Sequence, residues 1–258
     1  VKGTNMVQQL VLQGMILSTM PIGEYDKRIV LLTTKRGKIT AFSKGSRRSS
    51  SSMLGATSAF VFGEFSLIEG RTSYTLVGAN ISDYFMELRN DITSTCYGSY
   101  FLEFAGYYAR ENVDGTHLLK LLYATMRILC KKVISERLIR RIFELKILVI
   151  NGEYPQCFQC VNCGAVKDLS YFSSLNCGIV CASCKSRMPD VIKITESALY
   201  AMQYMISTDI EKLYTFNVSD DVLKILERIM DSYLGMYIDK SFKSLGILQA
   251  MTDDLSLS

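Results

Sequence analysis

Cys160-Val161-Asn162-Cys163-Gly164 and Cys181-Ala182-Ser183-Cys184 are the most informative stretches of this chain. Residues 164–180 separate the two pairs, which is the C-x2-C-x15–20-C-x2-C spacing of a structural zinc site. Two residues between thiolates let a tight turn aim both sulfurs at one ion about 2.3 Å away. Gly164 relieves crowding where the chain must turn. Residues 165–180, with Tyr171-Phe172, are expected to form a short ribbon between the knuckles. Four thiolates fill a tetrahedral shell and leave no position for water, so the expected zinc is structural and not catalytic.

Other cysteines compete for this assignment. Cys157 also stands C-x2-C from Cys160, and Cys177 lies just before Cys181. The 160/163 pairing is preferred because a glycine follows it and because it matches 181/184. Cys157 and Cys177 are expected to pack as small apolar residues. Cys96 and Cys130 fall in helical patterns and are expected to be buried. The chain has 8 cysteines. Without a signal peptide, they point to a reducing compartment. The 1 histidine, His117, is expected to be a capping or surface residue at a helix start.

Outward from the cysteines the pattern is helical. Between Ile81 and Ile150 there is no proline, and Leu118, Leu121, Leu122, Thr125 and Leu129 recur at helical spacing, as do Leu138, Ile142, Leu145 and Val149. Ser135 is a candidate N-cap, and Asn151-Gly152 a helix end. Residues 153–190 interrupt the pattern as a Cys/Ser/Gly-rich insert. Helical periodicity resumes at Thr195–Ile206 and Asp220–Tyr237, and Thr252–Ser258 is expected to be a polar, frayed tail.

Residues before 81 read differently. Val11–Met20, Arg28–Thr34, Ile39–Phe42, Ser58–Ile68 and Thr72–Ala79 are expected strands, with turns at Pro21–Glu24 and Lys35–Lys38. Phe60 and Phe62 are expected to fill the interior. Tyr74 and Leu76 share a face, while Tyr25, Phe42 or Tyr74 would stack nucleobases if outward. Gly45–Ser52 reads as a flexible loop. Five strands in so short a stretch suggest an oligonucleotide-binding type of β-barrel. The expected class is α+β. A barrel at 6–80 precedes a helical domain at 81–258, which carries the 153–190 insert. Val1–Asn5 is expected to be a remnant ahead of a natural start at Met6.

Charge sharpens this division. Residues 6–80 carry nine Lys/Arg against four Asp/Glu, whereas residues 81–258 carry 19 against 21. A basic barrel on a near-neutral body suggests a polyanion partner. Lys27, Arg28, Lys35, Arg36, Lys38, Lys44, Arg47 and Arg48 are the candidate phosphate contacts, which would be sequence-independent. A second basic run holds Arg127, Lys131, Lys132, Arg137, Arg140, Arg141 and Lys146 against Glu136 and Glu144. It is read as a second DNA surface, a site for an acidic peptide, or a solvated helix face.

The composition, 48% apolar and 21% charged, is globular. No run approaches the roughly 18 apolar residues of a membrane span. The sequence contains no P-loop, G-x-G-x-x-G, H-E-x-x-H or G-x-S-x-G. Asp220-Asp221 and Asp253-Asp254 read as a helix start and a polar tail. A non-enzymatic protein is therefore expected.

Barrel, helices and four-cysteine insert, in this order over about Met6 to Met251, resemble the RecO family of bacterial recombination mediators. Gly152-Glu153-Tyr154-Pro155 running into the first knuckle, Tyr171-Phe172-Ser173, and Gly178-Ile179-Val180 before the second are similar to that family's zinc insert. Lys243-Ser244-Leu245-Gly246-Ile247-Leu248 is similar but less diagnostic. The chain departs from the family at Cys157 and Cys177. The resemblance implies a cytoplasmic, nucleoid-associated protein that binds single- and double-stranded DNA and anneals complementary strands. It also implies that the protein works with RecR to load RecA onto strands coated by single-stranded DNA-binding protein (SSB), and that it contacts the SSB C-terminal tail. The competing reading is a zinc-containing protein-interaction adaptor.

Overall fold

A computed structural model describes the backbone of residues 9–256 and the side chains of residues 9–250. The expected remnant Val1–Asn5 and start Met6 lie outside the described residues, as do Leu257 and Ser258. The chain divides into two compact units, residues 1–130 with 242–258 and residues 131–241. The division falls within the helical region, so the first long helices share a unit with the barrel.

In the first unit, β1 (Gln9–Ile22), β2 (Asp26–Thr33), β3 (Gly37–Ser43), β4 (Phe62–Glu69) and β5 (Tyr74–Asp83) close a barrel in the order β1-β2-β3-β5-β4. The neighbours pair antiparallel except β3 and β5, whose parallel contact Ala41↔Tyr74 and Phe42↔Thr75 closes the ring. Along β3, buried Gly37, Ile39, Ala41 and Ser43 alternate with half-buried residues, the period-2 signature of a strand with one inward face. Leu12, Ile16, Ile29, Leu31, Ile39, Val61, Phe65, Leu67, Tyr74 and Leu76 fill the interior. Each large side chain buried there contributes about 1.5–3 kcal/mol before entropy is counted.

Two local expectations are corrected. Phe60 and Phe62 do not fill the barrel; Val61 and Phe65 do. Phe60 has φ of 73° and its N–H donates to the Ile16 carbonyl (3.1 Å), while the Ile16 N–H donates to Val61 (2.9 Å). This kink faces a register shift in β1 between Ile16 and Ser18, so the inward side moves by one residue. Phe62 instead lies 4.5 Å from the ring of Tyr123 on α4 (Thr116–Lys131). Phe60 sits against Gly98 of α3 (Ile92–Tyr108), where a Cβ would meet its ring at 3.0 Å.

Gly45–Ser52, expected to be a flexible loop, is tied down. Ser46 is fully buried, and its hydroxyl donates to the Ser43 carbonyl. The Gly45 N–H donates to Asp26 (2.8 Å) and the Arg47 N–H to the Tyr25 carbonyl (2.8 Å). The loop thus folds back onto the β1–β2 turn before α1 (Met53–Ala56).

The β2–β3 hairpin tip is also clamped. Lys38 N–H donates to the Arg110 carbonyl (3.0 Å), Asn112 N–H to Arg36 (2.9 Å) and Gly115 N–H to Thr34 (2.6 Å). Gly37 has φ of 59°, and a Cβ there would lie 2.1 Å from the Arg110 carbonyl oxygen, so a side chain would break the clamp. After α2 (Met86–Arg89), α3 presents Tyr97, Tyr100, Phe101, Phe104 and Tyr108 to the interior. The last helix, α8 (Lys243–Ser256), packs on α3; Phe242, just before it, lies 5.2 Å from Phe104, and the Ser244 hydroxyl donates to Glu103. Its backbone is helical to Ser256, through most of the segment expected to fray.

The second unit packs α5 (Glu136–Asn151), α6 (Glu196–Ser207) and α7 (Asp220–Tyr237). Leu138, Ile142 and Leu145 form the buried stripe of α5. Gly152 ends α5 with φ of 74°, its N–H donating to the Leu148 and Val149 carbonyls. Ser135 stands at the N-cap position, but its hydroxyl makes no capping bond. Thr195 and Ser219 do cap, accepting from Ala198 and Val222, and Asp220-Asp221 form the first turn of α7 as expected. Between α5 and α6, β6 (Leu169–Ser173), β7 (Gly178–Cys181) and β8 (Val191–Lys193) form a sheet in the order β7-β6-β8. Among the described residues no helix is long and apolar enough to cross a membrane.

Candidate metal centre and cationic surfaces

The β6–β7 ribbon brings the two knuckles together. Cys160 N–H donates to the Ala165 carbonyl (2.7 Å) and Gly164 N–H to the Cys160 carbonyl (2.9 Å), which curls the first knuckle; Gly164 has φ of 74°. The second knuckle follows β7 directly, with Cys181 ending the strand and Cys184 in the 3-10 turn Ala182–Arg187. Gly178 lets the strand approach the entry segment: a Cβ there would lie 2.4 Å from the Gln156 carbonyl oxygen.

The Sγ atoms of Cys160, Cys163, Cys181 and Cys184 lie within 4.8 Å of one another, with Cys163 and Cys181 at 3.7 Å. Four sulfurs placed tetrahedrally about 2.3 Å from one ion would stand about 3.8 Å apart, so the donor set fits zinc in kind and in span. Cys160, Cys181 and Cys184 are buried and Cys163 is exposed. Asn162 donates its amide to Cys184 Sγ (3.1 Å) and Cys181 N–H points to Cys160 Sγ (3.4 Å). Burial raises the Cys160 pKa, but the N–H groups of Cys181, Cys163 and Asn162 favour the thiolate and bring it down to about 6. Such donors to sulfur are the outer shell that orients thiolate ligands.

Cys157 is outside this cluster. It is fully buried, which pushes its thiol up to about 12, consistent with packing as a small apolar residue. Cys177 is half-buried and polar in use: its sulfur lies 2.7 Å from the Tyr237 hydroxyl. Cys96 and Cys130 are half-buried rather than buried. His117 is exposed in the first turn of α4, where Asp114 accepts from the Thr116 N–H.

The eight candidate cations of the barrel separate into two groups. Lys27 is turned inward, its ammonium donating to the Leu54 carbonyl (3.1 Å) and the Thr57 hydroxyl (2.9 Å). Lys38 donates to the Gly106 carbonyl at 2.7 Å, near the end of α3. Arg36 pairs with Glu69 at 3.6 Å. Arg28, Lys35, Lys44, Arg47 and Arg48 are exposed. Arg47 also donates to the Gly23 and Glu24 carbonyls, and Arg48 lies 4.9 Å from the ring centroid of exposed Tyr25. The strand register places Met20, Arg28 and Phe42 in one row, with Thr75 beyond. Tyr74 is buried in the interior and offers no stacking face.

The second basic run is largely paired. Arg127 binds Asp83 at 3.0 Å in the first unit. Within the second unit, Arg137 grips Glu227 through two bonds of 2.9 and 2.7 Å and reaches Asp220 at 3.2 Å. Arg140 and Arg141 share Glu144 and Asp231, and the buried Lys146 ammonium donates to the carbonyls of Met205, Ile206 and Thr208. Lys131 and Lys132 are exposed. The i, i+4 spacing of Arg137 and Arg141 thus serves the packing of α5 on α7, whose carboxylates lie far away in sequence.

Family models describe both parts of the chain. Recombination protein O N terminal matches residues 6–85, and Recombination protein O C terminal matches residues 89–246. Proteins named DNA repair protein RecO are similar over nearly the whole length. The one from Alkaliphilus metalliredigens is 31% identical over 237 residues, covering 91% of this chain and 96% of that protein. The one from Acetivibrio thermocellus is 29% identical over 239 residues (92% and 95%), and the one from Clostridium acetobutylicum is 28% identical over 243 residues (94% and 98%).

Proposed function

This chain belongs to the RecO family of DNA repair and recombination proteins, and we propose that it is a non-enzymatic recombination mediator. It binds single- and double-stranded DNA and anneals complementary strands. With RecR it helps load RecA onto SSB-coated strands in the cytoplasm, and it contacts the SSB tail. The observation that carries the reading is the joint match of both family models to a chain whose barrel keeps Arg28, Lys35, Lys44, Arg47 and Arg48 exposed.

Annealing brings two polyanions together, and exposed cations screen their repulsion. Arg28 stands between Met20 and Phe42, so a phosphate contact there has apolar neighbours against which a sugar or base can rest. Lys27 and Lys38 support this surface by holding α1 and α3, while Arg36 pairs with Glu69 of β4 in an exposed contact. Zinc held by Cys160, Cys163, Cys181 and Cys184 would fix the fold of the insert.

Replacing Arg28 and Lys44 by alanine is expected to weaken binding to all strand sequences alike. The slope of log affinity against log salt should become shallower by about 1.4, or about 0.7 for each lost single-strand contact. An unchanged slope in a folded variant would move the strand off this face. Lys38→Ala should instead reduce stability, because it leaves the Gly106 carbonyl without its donor.

A further inference from the structure

On the insert, Tyr171 has lysines on two neighbouring elements. The Lys185 ammonium stands 4.9 Å from the Tyr171 ring centroid. Lys193 is directly opposite Tyr171 in the β6–β8 pairing, so it shares the same face of the sheet. Lys185, Arg187 and Lys193 are exposed, and none forms an ion pair among the described residues. The nearby carboxylate of Asp190 is occupied: it accepts from the Ser173 hydroxyl (2.6 Å) and the Leu175 N–H (2.8 Å).

Tyr171, with Leu169 and Met188, packs against the cluster of Cys160, Val180, Cys181 and Cys184, and Lys185 directly follows Cys184. Lys185 and Lys193 bring two cations to one part of the insert, and neither has an ion-pair partner among the described residues. A phosphodiester supplies the missing anion, and the Tyr171 hydroxyl is a further donor. The next row along the same face, Ser173 and Val191, is buried or half-buried.

We propose that Tyr171, Lys185 and Lys193, with Arg187, form a second binding site for a nucleic-acid strand, independent of the barrel. The proposal rests on the reading that this chain binds DNA. It gives the insert a role beyond stability: a protein with two strand sites can hold both partners of an annealing pair.

The test is titration of the full-length protein with a short fluorescein-labelled oligothymidylate at low salt. Wild type is expected to bind two strands per chain. Lys185→Gln/Lys193→Gln and Arg28→Ala/Lys44→Ala should each bind one. Zinc content equal to wild type shows that the insert of the first variant is intact. A 5-bromodeoxyuridine strand should also crosslink to Tyr171 in wild type. If wild type binds one strand and the barrel variant abolishes it, the second site is overturned and DNA binding by the barrel stands. If no form binds a strand, both readings fail. If the insert variant keeps two strands but loses binding of a polyglutamate peptide, the occupant is an acidic protein segment and the nucleic-acid assignment is overturned.

Discussion

A Cys163→Ser/Cys184→Ser chain is expected to purify without zinc and with residues 153–194 unfolded, whereas wild type should carry about one zinc per chain. Beyond its anchoring to α6 and α7, where Phe172 meets Tyr233 and Gln203, Tyr233 and Tyr237 donate to the Cys157, Glu153 and Ser174 carbonyls, the insert has little to hold it. Its sheet has strands of only five, four and three residues. Its own apolar cluster consists largely of the cysteines, with Val180 and partly buried Val161, Ala165, Leu169, Tyr171 and Met188 around them. Structural zinc contributes about 10–16 kcal/mol of apparent binding free energy in small zinc modules, far more than such a cluster supplies. Loss should appear as new hydrogen exchange in β6, β7 and β8, with the barrel protected as before. Retained zinc in the double variant would show that other side chains hold the ion, and Cys157 would be the first to examine.

Glu144→Ala is expected to destabilise the second unit by about 3–5 kcal/mol. The Glu144 carboxylate is fully buried, accepting from Arg140 at 2.7 Å and from Arg141 at 3.0 Å. Arg141 is itself only 4% exposed and turns Nη1 and Nη2 to Asp231 on α7. Its Nε has no partner among the described residues, so the guanidinium is already short of one bond. Removing Glu144 leaves that buried cation with Asp231 alone, whose side chain is more than half exposed. The paired change Arg141→Met/Glu144→Leu removes both charges and should recover most of the loss. Urea unfolding of the three proteins measures this. Equal stability of Glu144→Ala and wild type would mean that the network contributes nothing.

That network shows where sequence reading stops. The arginines of α5 have visible helical spacing, and Leu138, Ile142 and Leu145 were legible as its core face. The partners Glu227 and Asp231 come from a helix about 90 residues later, and no local pattern announces them. An apparent cationic stripe is therefore mostly an internal seam.

The barrel was legible because period-2 alternation is local, as in β3. Phe60 and Phe62 were misread because a single residue with positive φ shifts the inward side, and phenylalanine gives no sign of adopting it. The loop at Gly45–Ser52 was misread because serine composition reports solubility and not the backbone bonds that bury Ser46. The four clustered cysteines were legible because their spacing encodes the geometry directly. β8 was missed: three residues with one polar member carry too little pattern. Among the barrel cations, sequence marks charge but not direction, and Lys27 and Lys38 turn inward to carbonyls.

Strand annealing without a nucleotide is the core of the proposed function. Its most direct measurement is annealing of complementary strands coated with SSB, followed by fluorescence with and without RecR and with no ATP present. This protein should accelerate duplex formation on coated strands, Arg28→Ala/Lys44→Ala should slow it, and RecR should change the rate. No acceleration by a folded, zinc-loaded protein, on coated or bare strands, would contradict it and favour an interaction adaptor.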